Sequence, residues 1–254
     1  MKALLLENIH PEAVRILQER GFDVETAPRA LGEDDLIEAL AGVDVLGIRS
    51  TTYVTPRVLG SAPRLSAIGA FCIGTNQISL PEATERGVAV FNAPFSNTRS
   101  VVELVIGEII ALARHLTDND AAMHAGRWVK SAKGAHEIRG RSLGIVGYGN
   151  IGSQLSVVAE SLGMRVLFHD VADKLALGNA RRCASLDELL EEAETISVHV
   201  DGRPSNRGLF GDAEFGRMRP RALFLNLSRG MVVDQAALKR HLDSGHIAGA
   251  AIDV

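Results

Sequence analysis

Leu143-Gly144-Ile145-Val146-Gly147-Tyr148-Gly149-Asn150-Ile151-Gly152 is the stretch that decides the fold, and Asp170 follows it eighteen residues later. The apolar residues 143–146 predict a buried strand, the glycines a tight turn, and the residues from Gly152 onward a helix. A second strand, Arg165–His169, then ends at the acid. That order is what a dinucleotide needs. Gly147 allows the turn, Gly149 lets the backbone approach a pyrophosphate, and Gly152 lets the helix pack close on the strand. Free N–H groups at the helix N-terminus face the phosphates, and the Asp170 carboxylate is placed to accept both hydroxyls of a ribose.

Outward from this motif, strand-like and helix-like segments alternate along the whole chain, which predicts an α/β fold with mainly parallel sheets. Residues 3–7, 22–26, 43–48, 67–71 and 88–91 read as strands. Residues 11–20 and 34–40 read as helices closed by Gly21 and Gly42. Beyond Asn92-Ala-Pro-Phe-Ser-Asn97, a helix over 100–116 is expected to start at a capping box formed by Ser100 and Glu103. It is apolar on most faces, so it is expected to be buried between domains or subunits, which favours a homodimer or homotetramer. After the glycine motif come strands at Arg165–His169, 195–200, Ala222–Asn226 and 248–253, with helices at 186–193 and 234–244. The expectation is two doubly wound parallel-sheet domains. Residues 1–97 form a flavodoxin-like substrate-binding domain, and 98–254 a Rossmann dinucleotide-binding domain with a leading helix. The chain stops at Ile252-Asp253-Val254, where a core strand reads as ending. The second domain is therefore expected to be incomplete at its C-terminus.

Bulk properties exclude several function classes. A net charge of −4 leaves no basic surplus for a nucleic-acid partner. Cys72 and Cys183 have neither metal spacing nor a disulfide framework, so no metal site and a reducing, cytoplasmic setting are expected. Charge enters too early, at Lys2 and Glu7, for a signal peptide, and no apolar run approaches the roughly 18 residues of a membrane span.

Asn226-Leu227-Ser228-Arg229-Gly230 follows an apolar strand, which places Arg229 at a carboxyl-terminal sheet edge, where doubly wound folds hold ligands. An arginine there can hold a carboxylate bidentately or stabilise charge on a carbonyl; it can also be a surface residue of an interstrand loop. Taken together, 147–152, Asp170 and Met218-Arg-Pro-Arg-Ala-Leu-Phe-Leu-Asn-Leu-Ser-Arg-Gly-Met-Val-Val-Asp234 resemble the D-isomer-specific 2-hydroxyacid dehydrogenases. Gly69-Ala-Phe-Cys-Ile-Gly-Thr-Asn-Gln77 and Phe91-Asn-Ala-Pro-Phe-Ser-Asn-Thr-Arg-Ser-Val-Val-Glu-Leu-Val-Ile-Gly107 are similar to the phosphoglycerate branch of that family, and the resemblance covers essentially the whole chain.

The resemblance implies NAD as cofactor and oxidation of a phosphorylated 2-hydroxy acid, D-3-phosphoglycerate, to 3-phosphohydroxypyruvate, the entry step of serine synthesis. It implies that Asn150 and Ile151 meet the pyrophosphate and that Asp170 selects NAD over NADP. It places Leu227, Ser228 and Arg229 beside the nicotinamide, with Arg229 orienting the substrate. Asp253 matches an acid near the carboxamide, and His199 a histidine near the cofactor, expected to position rather than to act as a base. Arg49 and Ser50 match the loop that meets the substrate's phosphate or carboxylate. Gly74 and Asn97 are expected to line the cleft, and Lys130 to reach it from the partner region. Thr51 stands where close relatives commonly carry a basic residue. The family's glutamate–histidine acid/base pair lies past the strand ending in Asp253, so the chain as it stands is expected to bind NAD with little turnover. A noncatalytic NAD-sensing scaffold, or a dehydrogenase for another 2-hydroxy acid such as glycerate or 2-hydroxyglutarate, are the competing expectations.

Overall fold

Strands that alternate with helices cannot form tight hairpins; nearly every connection carries the chain back across the sheet through a helix, so neighbouring strands run parallel. The computed structural model describes residues 1–128 and 130–254, and these fall into two units, Met1–Asn97 and Thr98–Val254.

The first unit runs β1 (Lys2–Leu5), α1 (Pro11–Glu19), β2 (Asp23–Thr26), α2 (Glu33–Ala39), β3 (Val45–Ile48), α3 (Pro56–Ser61), β4 (Ala67–Ala70), α4 (Leu80–Glu85) and β5 (Ala89–Asn92). Its sheet has the order β2-β1-β3-β4-β5, parallel throughout, with Ala3 opposite Val45, Val45 opposite Ala67 and Ala67 opposite Ala89. Leu4, Leu46, Ile48 and Ile68 are buried in its core with Leu36, Val58 and Leu59 from the helices. The strand expected over 3–7 ends earlier, at Leu5. Glu7 and Asn8 turn into the left-handed region at φ 61° and 54°, a conformation incompatible with a strand. Helices α3 and α4 have six residues each, too few to show periodicity. Thr55 nonetheless caps α3 by accepting the Val58 amide at 3.3 Å, with Pro56 next in line.

The second unit opens with α5 (Thr98–Arg114) and α6 (Leu116–His124), followed by β6 (Ser142–Val146), α7 (Asn150–Ser161), β7 (Arg165–His169), β8 (Arg181–Arg182), α8 (Leu186–Glu192), β9 (Thr195–Val198), α9 (Asp212–Arg217), β10 (Ala222–Asn226), α10 (Gln235–Asp243) and β11 (Ile247–Ile252). The sheet order β8-β7-β6-β9-β10-β11, again parallel, is that of a Rossmann domain, with its topological switch between β6 and β9.

Helix α5 departs from expectation in two respects. It begins at Thr98, two residues before the expected start, and Glu103 pairs with Arg99 one turn back at 2.8 Å instead of closing a capping box on Ser100. One of its apolar faces is also covered at home. Val102, Val105, Ile109 and Ala113 are buried against Leu143, Ile145, Leu223 and Leu225 on one face of this unit's own sheet. The buried face of α5 therefore gives no argument for a subunit interface, whereas Leu104 on its other side stays exposed. His115, at φ 53°, breaks the helix before α6. The opposite face of the sheet is filled by Phe210, Phe215 and Phe224, with both other rings 5.0 Å from Phe224. Among the described residues no helix is long and apolar enough to cross a membrane.

Packing at the glycine turn is tight in one place and open in another. A Cβ on Gly152 would lie 2.2 Å from the Gly147 carbonyl oxygen, whereas one on Gly149 would meet nothing within 4 Å. Gly152→Ala is therefore expected to shift α7 off β6 and cost about 1–3 kcal/mol. Gly149→Ala is expected to cost less than about 1 kcal/mol, the difference between two helix-capping residues. Urea denaturation midpoints of the two variants distinguish these outcomes.

Candidate functional site

The turn after β6 is held by three devices. Gly147 has φ 94°, and a Cβ there would press to 2.7 Å from the His199 carbonyl oxygen, so the position accepts only glycine. Tyr148 is turned into the core: its ring stacks on Phe168 with centroids 3.8 Å apart, and its hydroxyl lies 2.6 Å from Ser156 Oγ and accepts the Leu177 amide. Asp170, at the end of β7, accepts the Tyr148 amide at 2.7 Å and the Ala172 amide at 2.8 Å. Each of its oxygens keeps acceptor capacity for a further donor. Helix α7 then begins at Asn150 with no side-chain cap on its first amides, above the open space over Gly149. Asn150 is exposed, Ile151 half-buried and Gly152 buried. An uncapped helix N-terminus, a backbone that nothing overhangs and a nearby carboxylate fit the diphosphate and ribose of a dinucleotide.

Across the switch point, His199 follows β9 and its amide donates to the Val146 carbonyl at 2.7 Å, tying the two central loops together. The imidazole Nε2 is 2.8 Å from Ser197 Oγ, while Nδ1 is buried with no partner among the described residues. Burial pushes the ring's pKa down to about 4. A ring whose pKa lies far below physiological pH is a weak base, and one already engaged with Ser197 suits positioning rather than proton abstraction.

The loop after β10 is organised by Asn226, which is fully buried. Its Oδ1 accepts the Ser228 amide at 3.1 Å and the Ser228 hydroxyl at 2.7 Å, and its Nδ2 donates to the Arg229 carbonyl at 3.0 Å. The Asp253 amide donates to the Asn226 carbonyl at 3.2 Å, so the pairing of β10 with β11 sets Asp253 beside Leu227, Ser228 and Arg229. Leu227 and Ser228 are buried. Arg229 is half-buried, with Nη1 donating to the Ser228 carbonyl at 2.7 Å. Asn226 was legible only as part of a family motif; its holding role comes from the geometry.

In the first unit the loops after β3, β4 and β5 gather at one sheet edge. Glu7, reached through the left-handed pair Glu7-Asn8, accepts the amides of Arg49 at 3.1 Å, Thr51 at 3.0 Å and Thr52 at 2.9 Å. Burial works to raise its pKa, but these hydrogen bonds outweigh it and hold the carboxyl below its ordinary value. Gln77, buried, donates from Nε2 to the carbonyls of Arg49 at 2.7 Å and Gly74 at 3.2 Å, and Asn92 Nδ2 donates to the Ile73 carbonyl at 2.7 Å. Arg49 and Ser50 thus stand exposed on a loop clamped from below, with half-buried Gly74 beside them and Asn97 exposed at the unit's end. Lys130 is also exposed. Glu7 and Gln77 escaped the sequence reading because nothing about an isolated acid or amide announces the amides it will meet. No group of three or more His, Cys, Asp or Glu among the described residues could hold a metal ion.

Two titrations follow. Above about pH 4.5 Glu7 is ionised whether the chain is folded or not, and its contribution is complete; that contribution is lost as pH falls through its lowered folded pKa. Glu7→Gln puts a donor against amide donors and is expected to cost about 1–2 kcal/mol at neutral pH and to flatten this acid limb. His199 behaves in a different window. The unfolded imidazole takes a proton near pH 6.5 and the folded one only near 4, so the folded state loses ground as pH drops between them. The loss is on the order of 3 kcal/mol, and His199→Gln is expected to abolish it. Urea melts at half-unit pH steps read both.

Residues 106–254 match the model of the D-isomer specific 2-hydroxyacid dehydrogenase family's NAD binding domain. The whole chain is 51% identical to the D-3-phosphoglycerate dehydrogenase of Dictyostelium discoideum and 48% identical to that of Escherichia coli K12, and it spans 62% of the length of each. In structure it is similar to the TT0316 protein of Thermus thermophilus, with a TM-score of 0.93 and 29% identity over all of this chain and 82% of that one. With the Rossmann order, the turn–helix junction and Asp170 in place, this chain belongs to the D-isomer specific 2-hydroxyacid dehydrogenase family.

Proposed function

We propose that this chain carries the nucleotide-binding and substrate-binding parts of an NAD-dependent dehydrogenase that oxidises D-3-phosphoglycerate to 3-phosphohydroxypyruvate. The observation that carries the reading is identity of about half along the entire chain, first unit included, to relatives named for that activity. NAD, when bound, supplies the hydride acceptor. The chain's own residues supply the rest. The uncapped start of α7 and the bare backbone at Gly149 take the diphosphate, and Asp170 takes the adenosine ribose hydroxyls, where its negative charge disfavours a 2′-phosphate. Leu227 and Ser228 are assigned to the nicotinamide side, with Asp253 and the orphaned Nδ1 of His199 available to polar groups there. Arg229 is the substrate-orienting group: its fork can grip the carboxylate or stabilise negative charge on the C2 oxygen. Arg49 and Ser50, with their loop fixed by Glu7, are assigned to the substrate's phosphate or carboxylate, and Gly74, Asn97 and Lys130 to its surroundings. Thr51 replaces a basic side chain but lends its amide to Glu7, so the loop keeps its shape while carrying one cation fewer.

NADH formation by the protein as the cell makes it, assayed with D-3-phosphoglycerate, D-glycerate and D-2-hydroxyglutarate, tests the reading. The expected result is a kcat/KM for D-3-phosphoglycerate at least a hundredfold above the others. Arg229→Gln is expected to lower it by about two to three orders of magnitude while NAD binding persists. Comparable rates with D-glycerate would remove the phosphate from the substrate assignment. NAD binding without oxidation of any of the three would favour a sensing scaffold.

A further inference from the structure

We propose that the nucleotide-binding unit holds a second anion site, on the sheet edge opposite the glycine turn, fitted to a small dianion such as inorganic phosphate or a phosphate monoester. A cavity of about 280 Å³ lies there, lined by Arg141, Arg219, Arg221, Glu194, His115 and His136 among others. Arg141 immediately precedes β6 and Arg221 immediately precedes β10, so the cavity faces the amino-terminal strand ends. The glycine turn leaves the carboxyl end of β6. A ligand here is therefore distinct from the dinucleotide, and the volume is below that of the usual pocket for a drug-sized molecule.

The charges in the cavity do not cancel. Glu194 is committed: it pairs with Arg141 at 3.1 Å and accepts the Ser142 amide at 2.9 Å, and although burial opposes its ionisation, these partners hold its carboxyl below the ordinary range. Arg219 donates to the Glu192 carbonyl at 3.4 Å and lies in the field of the Glu194 carboxylate without forming an ion pair with it. The Arg221 side chain has no hydrogen bond or ion pair among the described residues. Three guanidiniums thus share one carboxylate, and Arg219 and Arg221 make no ion pair with it, in a chain whose net charge is −4. Two guanidinium forks offer the paired donors that phosphate oxygens accept.

Cations near the C-terminal end of a helix such as α5 are ordinary, since they offset the helix dipole. The backbone of Arg221 is not ordinary. It is held at φ 64°, with its amide donating to the His246 carbonyl. For a residue with a Cβ that conformation costs about 1–2 kcal/mol, which glycine would avoid. A strained arginine with an unpaired guanidinium lining a cavity is accounted for by what the guanidinium holds.

Calorimetric titration of inorganic phosphate into the full chain, with NAD present and ionic strength balanced by chloride, tests this. One saturable site is expected that weakens at least tenfold in Arg219→Gln and in Arg221→Gly. Arg221→Gly is also expected to melt at the same or a higher temperature in phosphate-free buffer, because the strain is gone. Phosphate binding unchanged in both variants, or a response that chloride reproduces, would overturn the proposal. So would a lower melting temperature for Arg221→Gly, which would show that the arginine serves the fold.

Discussion

The contact on which the nucleotide-binding unit depends is that between Gly152 and the carbonyl of Gly147, where a single methyl group would come within 2.2 Å of the oxygen. That closeness lets α7 start directly over the turn and lie against β6, with Leu155 and Ala159 buried beside Ile145. It also sets the direction in which the first amides of α7 point. Once α7 is placed, Ser156 is in position to meet the Tyr148 hydroxyl, the Tyr148 ring is stacked on Phe168 in the adjacent strand, and Asp170 at that strand's end reaches back to the Tyr148 amide. One close approach therefore fixes a strand, a turn, a helix and the carboxylate that closes them.

A common device recurs at the other loops. Asp170, Asn226 and Glu7 each sit below a loop at the carboxyl end of a strand and accept its backbone amides, and Asn226 also donates back to a carbonyl. Loops at the carboxyl ends of parallel strands carry many unpaired amides, and water can satisfy them in numerous arrangements. A buried or half-buried side-chain acceptor selects one arrangement. The charge on Glu7 and Asp170 strengthens these bonds, and the neutral amide of Asn226 suits a site that is fully buried, where an unpaired carboxylate would be costly.

This division explains what the sequence disclosed. The strands Arg165–His169 and Ala222–Asn226 were legible to the residue, because buried parallel strands are continuous apolar runs ended by polar loops. The glycine turn and Asp170 were legible because dinucleotide geometry restricts both residue type and spacing. Helix α5 was legible as a buried helix but not by location: apolar periodicity reports that a face is covered without naming what covers it, and here it is the unit's own β6 and β10. Helices α3, α4 and α9 and the two-residue β8 were too short for any period to register. Glu7 and Gln77 were opaque for a different reason, since their partners are backbone groups, those of Arg49 being 42 and 28 residues away, and backbone groups carry no sequence signal.

His199 shows how the same sheet edge fixes a polar ring and keeps it uncharged. The histidine is positioned by the β6–β9 switch, where Gly147 packs against its carbonyl and its amide bonds to Val146. That placement takes the ring out of water, and removing an imidazolium from water without a carboxylate partner favours the neutral form. A neutral imidazole with so low a pKa adds no positive charge to the switch point and is a weak base, while its two nitrogens still offer one donor and one acceptor. The switch point thus provides a polar group of fixed orientation and no charge, which leaves Arg229 as the cation of the loop after β10.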